Sequence, residues 1–333
     1  MSEKIELTEN NVLFLIGAGC SKEAGIKIAN EMVDDVESFV QTEKEWQEFA
    51  SLYYYLKSAI LYKEGIKGNF NRRINIEELL VTIYELVKKE RNIVYPFIGN
   101  WNTRLLEVAG NNFDDIERFR KIIFRQLYTW VNISHYRDAD YYEGFARFKK
   151  ELGYPIRIFS FNYDLCVESV IGKNDVTVEL GFDHQTSRWL YSNFEPNRDV
   201  GIYLYKLHGS IDWKRDQASG VMTKQEHPTT DPDVIFGTDT KLTSVDPYLF
   251  YVFEFRKYSL LDECKIIVVI GYSFSDQYMN VLIAQALRAA PNRKLLIVDM
   301  YPEAIKKKMV EEFKRRSAGT PAQVLARQEE FMK

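Results

Sequence analysis

Fifteen residues near the start of the chain, Asn11 to Gly25 (NVLFLIGAGCSKEAG), constrain its fold more than any other stretch. Val12 to Ile16 is an apolar run without a charge, closed by Gly17. That is the pattern of a strand buried on both faces of a parallel sheet. Gly17-Ala18-Gly19 predicts a tight turn with almost no side-chain bulk, and Ser21 with Glu23 after it suits a helix start. Strand, glycine turn and helix N-terminus together make a phosphate cradle. Its backbone N–H groups point at the anion, and the helix dipole adds roughly half a positive charge. The same residues also read as a plain βα turn with no ligand. The glycines at 17, 19 and 25 do not fit G-x-G-x-x-G, and no Gly-Lys-Ser/Thr is present, which argues against a P-loop.

After this start the chain turns helical. Met32, Val33, Val36, Phe39 and Val40 share one helical face, and Trp46 to Ile60, Ile76 to Val87 and Phe113 to Trp130 repeat the spacing. Asn75 with Glu78 resembles a capping box. Aromatic stripes at this spacing read as core. The α/β rhythm resumes at Pro155, with strands expected over 156–159, 177–180, 203–207, 234–236, 266–270 and 294–298. Residues 214–233, with Pro228 and Pro232, read as a loop, and 281–289 and 304–314 as helices. The expected fold is α/β: a Rossmann-like, mostly parallel sheet flanked by helices, with a large inserted α-helical subdomain. Residues 1–29 and 153–316 would form the sheet domain, 30–152 the insert, and 317–333 a tail or docking helix.

Polar clusters recur just after the predicted strands: Gly17 to Ser21, Asn162 to Asp164, His208 to Ser210, Gly271 to Asp276, and Asp299. In a parallel sheet those positions share one edge, where open α/β sheets bind ligands.

Composition narrows the classes. A net charge of −4 over 333 residues leaves no basic face for nucleic acid visible in the totals, with a local patch still open, and no direct nucleic-acid binding is expected. The three cysteines are widely spaced with no C-x-x-C, which excludes a four-cysteine zinc ribbon, argues against a disulfide framework and fits a reducing cytoplasm. The first residues lack a secretory pattern, and the clearest apolar run, Ile266 to Ile270, is far too short to span a membrane. No metal site and no membrane contact are expected.

Gly17-Ala18-Gly19-Cys20-Ser21 with Gly25, Asn162-Tyr163-Asp164, His208-Gly209 and Gly271-Tyr272-Ser273 occur in an order that resembles the sirtuin NAD-binding fold. The resemblance covers roughly 11–25 and 156–300. It departs from the deacylases in three places. The zinc module with its two C-x-x-C pairs is missing, Lys27 to Asn30 replaces the end of the sirtuin loop, and Phe161 stands where the family has Gln. The Gly-Tyr-Ser-Phe-Ser-Asp segment at 271–276 looks like that of bacterial sirtuin-like proteins of anti-phage defence. The resemblance implies an NAD hydrolase that depletes NAD in abortive infection. It also implies oligomers and a phage-sensing partner such as a HerA-type ATPase. A protein deacylase and a non-enzymatic sensor of NAD or an ADP-ribose nucleotide are the alternatives.

On that reading NAD is the substrate. His208 can take a proton from a ribose hydroxyl or from water, since the intrinsic pKa of imidazole is about 6.5; otherwise it is a satisfied histidine at a strand end. Asn162 offers an amide to water or ribose, or else forms an Asx turn. Asp164 either supports Asn162 or caps a helix. Gly17, Ala18, Gly19 and Gly271 would line the cofactor. Ser21 and Ser273 would donate to phosphates or cap helices, and Asp299 would bind the adenosine ribose. Tyr53, Tyr54 and Tyr55 cannot all face one helical stripe, which together with the helix near 304–313 favours a homo-oligomer.

Overall fold

The computed structural model describes residues 7–87, 103–110, 113–197, 199–216, 218–235, 246–315 and 324–327. It divides into two units, one of residues 1–26 with 131–333 and one of residues 27–130.

The first unit is built on a seven-stranded sheet. In chain order its strands are β1 (Val12–Ile16), β2 (Ile156–Ser160), β3 (Val178–Glu179), β4 (Ile202–Lys206), β7 (Ile266–Ile270), β8 (Lys294–Val298) and β9 (Val324–Arg327). Across the sheet they run β3-β4-β2-β1-β7-β8-β9, and every pairing is parallel. The chain starts in the middle, builds outward through β2 and β4, then returns to the other side of β1 as β7. The strand order therefore reverses between β1 and β7, where the carboxyl ends open a ligand crevice in such sheets.

The central strand shows why its residues are apolar throughout. Leu13 and Leu15 face a core that includes Phe159, Tyr205, Tyr251, Phe255 and Ile283. Phe14 points the other way and meets Phe145 and Phe148 edge-on at 5.2 and 5.4 Å. With both faces covered, alternation has no polar side to show. Burial of each large aliphatic side chain contributes about 1.5–3 kcal/mol.

Phe145 and Phe148 belong to the helix Glu143–Leu152, and this places the unit boundary at Trp130 and not at 152. Helical periodicity alone could not separate a helix that covers the sheet from the helices of the insert. Three further expectations are corrected. The expected loop at 214–233 contains part of an antiparallel hairpin, β5 (Trp213–Arg215) with β6 (Met222–Lys224). Its strands are short and half-solvated, so they carry little apolar signal. In the tail, Val324–Arg327 is an edge strand on β8 and not a docking helix; the rest of 317–333 lies outside the described residues. The short strand expected at 234–236 is a single bridge from Val234 to Gly209, with Phe236 outside the described residues. The helix Tyr248–Leu260 had no counterpart in the sequence reading.

The second unit is helical: Ala29–Thr42, Lys44–Gln47, Ala50–Ile66, Ile76–Val87, Thr103–Val108, and Asp114 onward. Trp46, Phe49, Leu52, Tyr53, Leu80, Ile83 and Phe119 are buried, and Phe49 stacks on Phe119 at 5.3 Å. The capping box forms: the Glu78 N–H donates to Asn75 Oδ1 at 2.9 Å and the Asn75 N–H to Glu78 Oε2 at 3.1 Å. Of the tyrosine triplet, Tyr53 is fully buried, while Tyr54 is exposed and bonded to Gln41 at 2.6 Å.

Candidate functional site

The glycine loop after β1 lies against the end of β7. The Gly17 N–H donates to the Ile270 carbonyl at 2.9 Å and the Gly19 N–H to the Gly271 carbonyl at 2.9 Å. A side chain at Gly271, whose φ is +59°, would place its Cβ 2.2 Å from the Cys20 nitrogen. Only glycine permits this approach. Two N–H groups of the expected phosphate cradle are thus engaged in holding the strand-end loops together. Ser21 does not begin a helix. Ala18–Ala24 is a 3₁₀ segment capped by Gly17, and Ser21 lies inside it.

Ser21 instead joins three other residues. Its hydroxyl donates to Asp164 Oδ2 at 2.7 Å and accepts from Asn162 Nδ2 at 2.9 Å. A hydroxyl has one donor and two acceptor sites, so the third contact, to the Tyr142 hydroxyl at 2.7 Å, has Tyr142 as donor. Burial holds the Tyr142 phenol protonated well above its usual range, consistent with that assignment. Asp164 accepts the Cys166 N–H on Oδ1 at 3.0 Å, so it caps the helix Cys166–Ile171 and supports Asn162 through Ser21 at once. With Nδ2 held by Ser21, the orientation of the Asn162 amide is set. Its Oδ1 is buried and has no hydrogen-bond partner among the described residues. A buried carbonyl oxygen in that state fits a hydroxyl or water brought by a ligand.

His208 follows β4 and is 4% exposed. Phe161 meets its ring edge-on at 5.0 Å and itself stacks on Tyr272 at 4.3 Å. Tyr163 lies 6.1 Å from it. The Asp276 carboxylate reaches to 3.8 Å from Nε2. Aromatic rings on several sides and a carboxylate on another make a low-dielectric setting, in which proton transfer responds strongly to nearby charge.

Lys206, the last residue of β4, was not singled out from sequence. It is 1% exposed. Its ammonium donates to Glu168 Oε1 at 2.9 Å, to Ser210 Oγ at 2.8 Å and to the Asp164 carbonyl. It therefore ties the loop carrying Asn162 to the loop carrying His208. Burial pushes the Glu168 carboxyl up, and Lys206 beside it pulls the other way. Burial also raises the Cys20 thiol to about 12 and the Cys166 thiol further. Neither is a thiolate nucleophile near neutral pH.

Ser273 is exposed and donates to Ser275 at 3.2 Å. Asp299, at the end of β8, accepts the Tyr301 N–H at 2.9 Å in an Asx turn. Ala18 is half-buried at the start of the 3₁₀ segment. Among the described residues no group of three or more His, Cys, Asp or Glu side chains is placed to hold a metal ion, and no helix is long and apolar enough to cross a membrane.

A search of curated proteins finds no match to the chain. Residues 156–318 match the family model described as SIR2-like domain. The matched span carries Asn162, Asp164, Lys206, His208, Gly271 and Asp276, while the glycine loop lies before it. This match, on an all-parallel sheet with its polar residues gathered at the β1/β7 reversal, supports a sirtuin-like family for the chain and fits an NAD-related activity.

Proposed function

We propose that the chain is an NAD glycohydrolase that releases nicotinamide and leaves ADP-ribose. The observation that carries this reading is the Asn162 amide, buried, oriented by Ser21 and with its carbonyl oxygen unengaged, on the same sheet edge as a buried histidine. Nicotinamide leaves a ribose as a neutral group and needs no acid. What the protein must supply is orientation of the sugar, stabilisation of positive charge at C1′ and a place for the proton of the incoming water. Asn162 orients a hydroxyl or that water, and His208 accepts the proton. The enclosing aromatics, Phe161, Tyr163 and Tyr272, exclude bulk water.

The finer assignment to anti-phage abortive infection rests on the likeness of the 271–276 segment. A homo-oligomer and a phage-sensing partner such as a HerA-type ATPase belong to that same proposal. A deacylase is less well supported: the chain has three cysteines, too few for the deacylase zinc module. A non-enzymatic NAD sensor would leave the oriented Asn162 and the carboxylate-facing His208 without a task.

Paired variants test the reading. His208→Ala should lower NAD hydrolysis about 10²–10⁴-fold, the usual contribution of a positioned base, with NAD binding by calorimetry retained. Asn162→Ala should lose turnover comparably with an unchanged melting profile. Wild-type turnover in either variant would overturn the assignment.

A further inference from the structure

The segment between β7 and the helix Gln277–Ala289 ends in Asp276, whose ordinary explanation is capping. Its Oδ1 accepts the Tyr278 N–H at 3.0 Å and the Met279 N–H at 3.1 Å. Capping accounts for one carboxylate oxygen. The other, Oδ2, lies 3.8 Å from His208 Nε2, and both side chains are about 95% buried, at 6% and 5% exposure. A cap needs no imidazole beside it and is usually solvated. The 3.8 Å separation exceeds a direct hydrogen bond but is within range for strong charge coupling.

We propose that Asp276 is a positioning residue for His208: through its charge it favours and stabilises the imidazolium formed when His208 takes a proton. This rests on the NAD-cleaving reading. The helix supplies the means. Two backbone N–H groups and the N-terminal end of a 13-residue helix favour the ionised carboxylate. The carboxylate therefore stays charged beside the ring, and its second oxygen faces it. The Tyr272 hydroxyl accepts the Asp276 N–H at 3.2 Å, and Phe274 before it is held at φ +54°, a conformation non-glycine residues rarely adopt. Also at the ring are Tyr163, whose hydroxyl donates to the Ile235 carbonyl at 3.2 Å, and the uncharged Phe161, which stacks on Tyr272. A change of charge at position 276 is a perturbation the imidazole should report.

Asp276→Asn separates the two roles, because Asn caps as well as Asp and carries no charge. Asp276→Ser, also a good cap, is the second variant and replaces the first if that does not fold. The first readout needs no NAD: NMR titration of the His208 imidazole, assigned by its loss in His208→Ala. The midpoint should fall by about one pH unit in the uncharged variants, with melting temperatures near wild type. An unchanged midpoint in a folded variant overturns the proposal. The second readout is kinetic. kcat for NAD hydrolysis should fall about tenfold, the equivalent of one pH unit, with KM within about twofold. The acid limb of the pH–rate profile should move to lower pH. A fall in stability with no shift in either pH profile would return Asp276 to a cap alone. If no form of the protein cleaves NAD, the functional reading fails while the titration still decides the pairing.

Discussion

In the helical unit, Lys57 pairs with Glu37 at 2.6 Å with both side chains about a third exposed, at 27% and 31%. At the carboxyl edge of the sheet, Lys206 pairs with Glu168 at 2.9 Å with exposures of 1% and 13%. The two pairs are alike in chemistry and opposite in energetics. The exposed pair keeps most of its hydration and contributes little. The buried pair has given up its water, and a desolvated pair rarely gains stability over well-packed apolar residues. The sheet edge also buries Ser21, Asn162, Asp164, His208 and Asp276. Folding alone gives no reason to place so many polar groups there. Hydrogen bonds among Ser21, Asn162 and Asp164 offset part of the cost, and what the edge provides is a set of side chains in fixed orientations. The helical unit follows the usual division, with Trp46, Phe49 and Phe119 inside and most of its charges at the surface, Glu64 being a buried exception paired with Arg72.

This contrast can be broken most severely at Lys206. Lys206→Met leaves Glu168 and the Asp164 carbonyl buried without their cation, and should cost roughly 3–5 kcal/mol in chemical denaturation. Adding Glu168→Gln should recover part of that loss; full additivity of the two costs would show that they are not coupled. Ser21→Ala comes next. It removes the acceptor that orients Asn162 and the donor to Asp164, for about 1–3 kcal/mol. NAD hydrolysis should fall with it, although Ser21 need not touch the substrate. The smallest effect is expected at Lys57→Met, about 1 kcal/mol or less, with hydrolysis unchanged. A loss there as large as at Lys206 would erase the distinction between the two regions.

Much of this was legible in the sequence because it depends on local pattern. Val12 to Ile16 and Ile266 to Ile270 declare buried parallel strands by being apolar throughout, and the polar clusters after them follow from strand direction. What was not legible depends on contacts between distant residues. Ser21 meets Tyr142 across 121 positions and Asp164 across 143, so its N-cap appearance was the only local signal, and it misled. Gly17 and Gly19 serve the close approach of two backbones, which requires the same residue as close approach of an anion, so the sequence alone could not show the contact with Gly271. Lys206 left a faint trace, a single charge ending the strand Ile202–Lys206 two residues before His208. Asp276 was visible only as the last member of a polar run. Nothing local told that its second oxygen faces an imidazole.

The central claim is that this sheet edge cleaves NAD by itself chemically, without an acyl-lysine acceptor. The direct measurement is chromatographic detection of nicotinamide and ADP-ribose after incubating the purified chain with NAD, with and without an acyl-lysine peptide. The account predicts equal release of both products in the two incubations, lowered about 10²–10⁴-fold in His208→Ala. Nicotinamide release that appears only with the peptide, or NAD recovered intact in both, would contradict it.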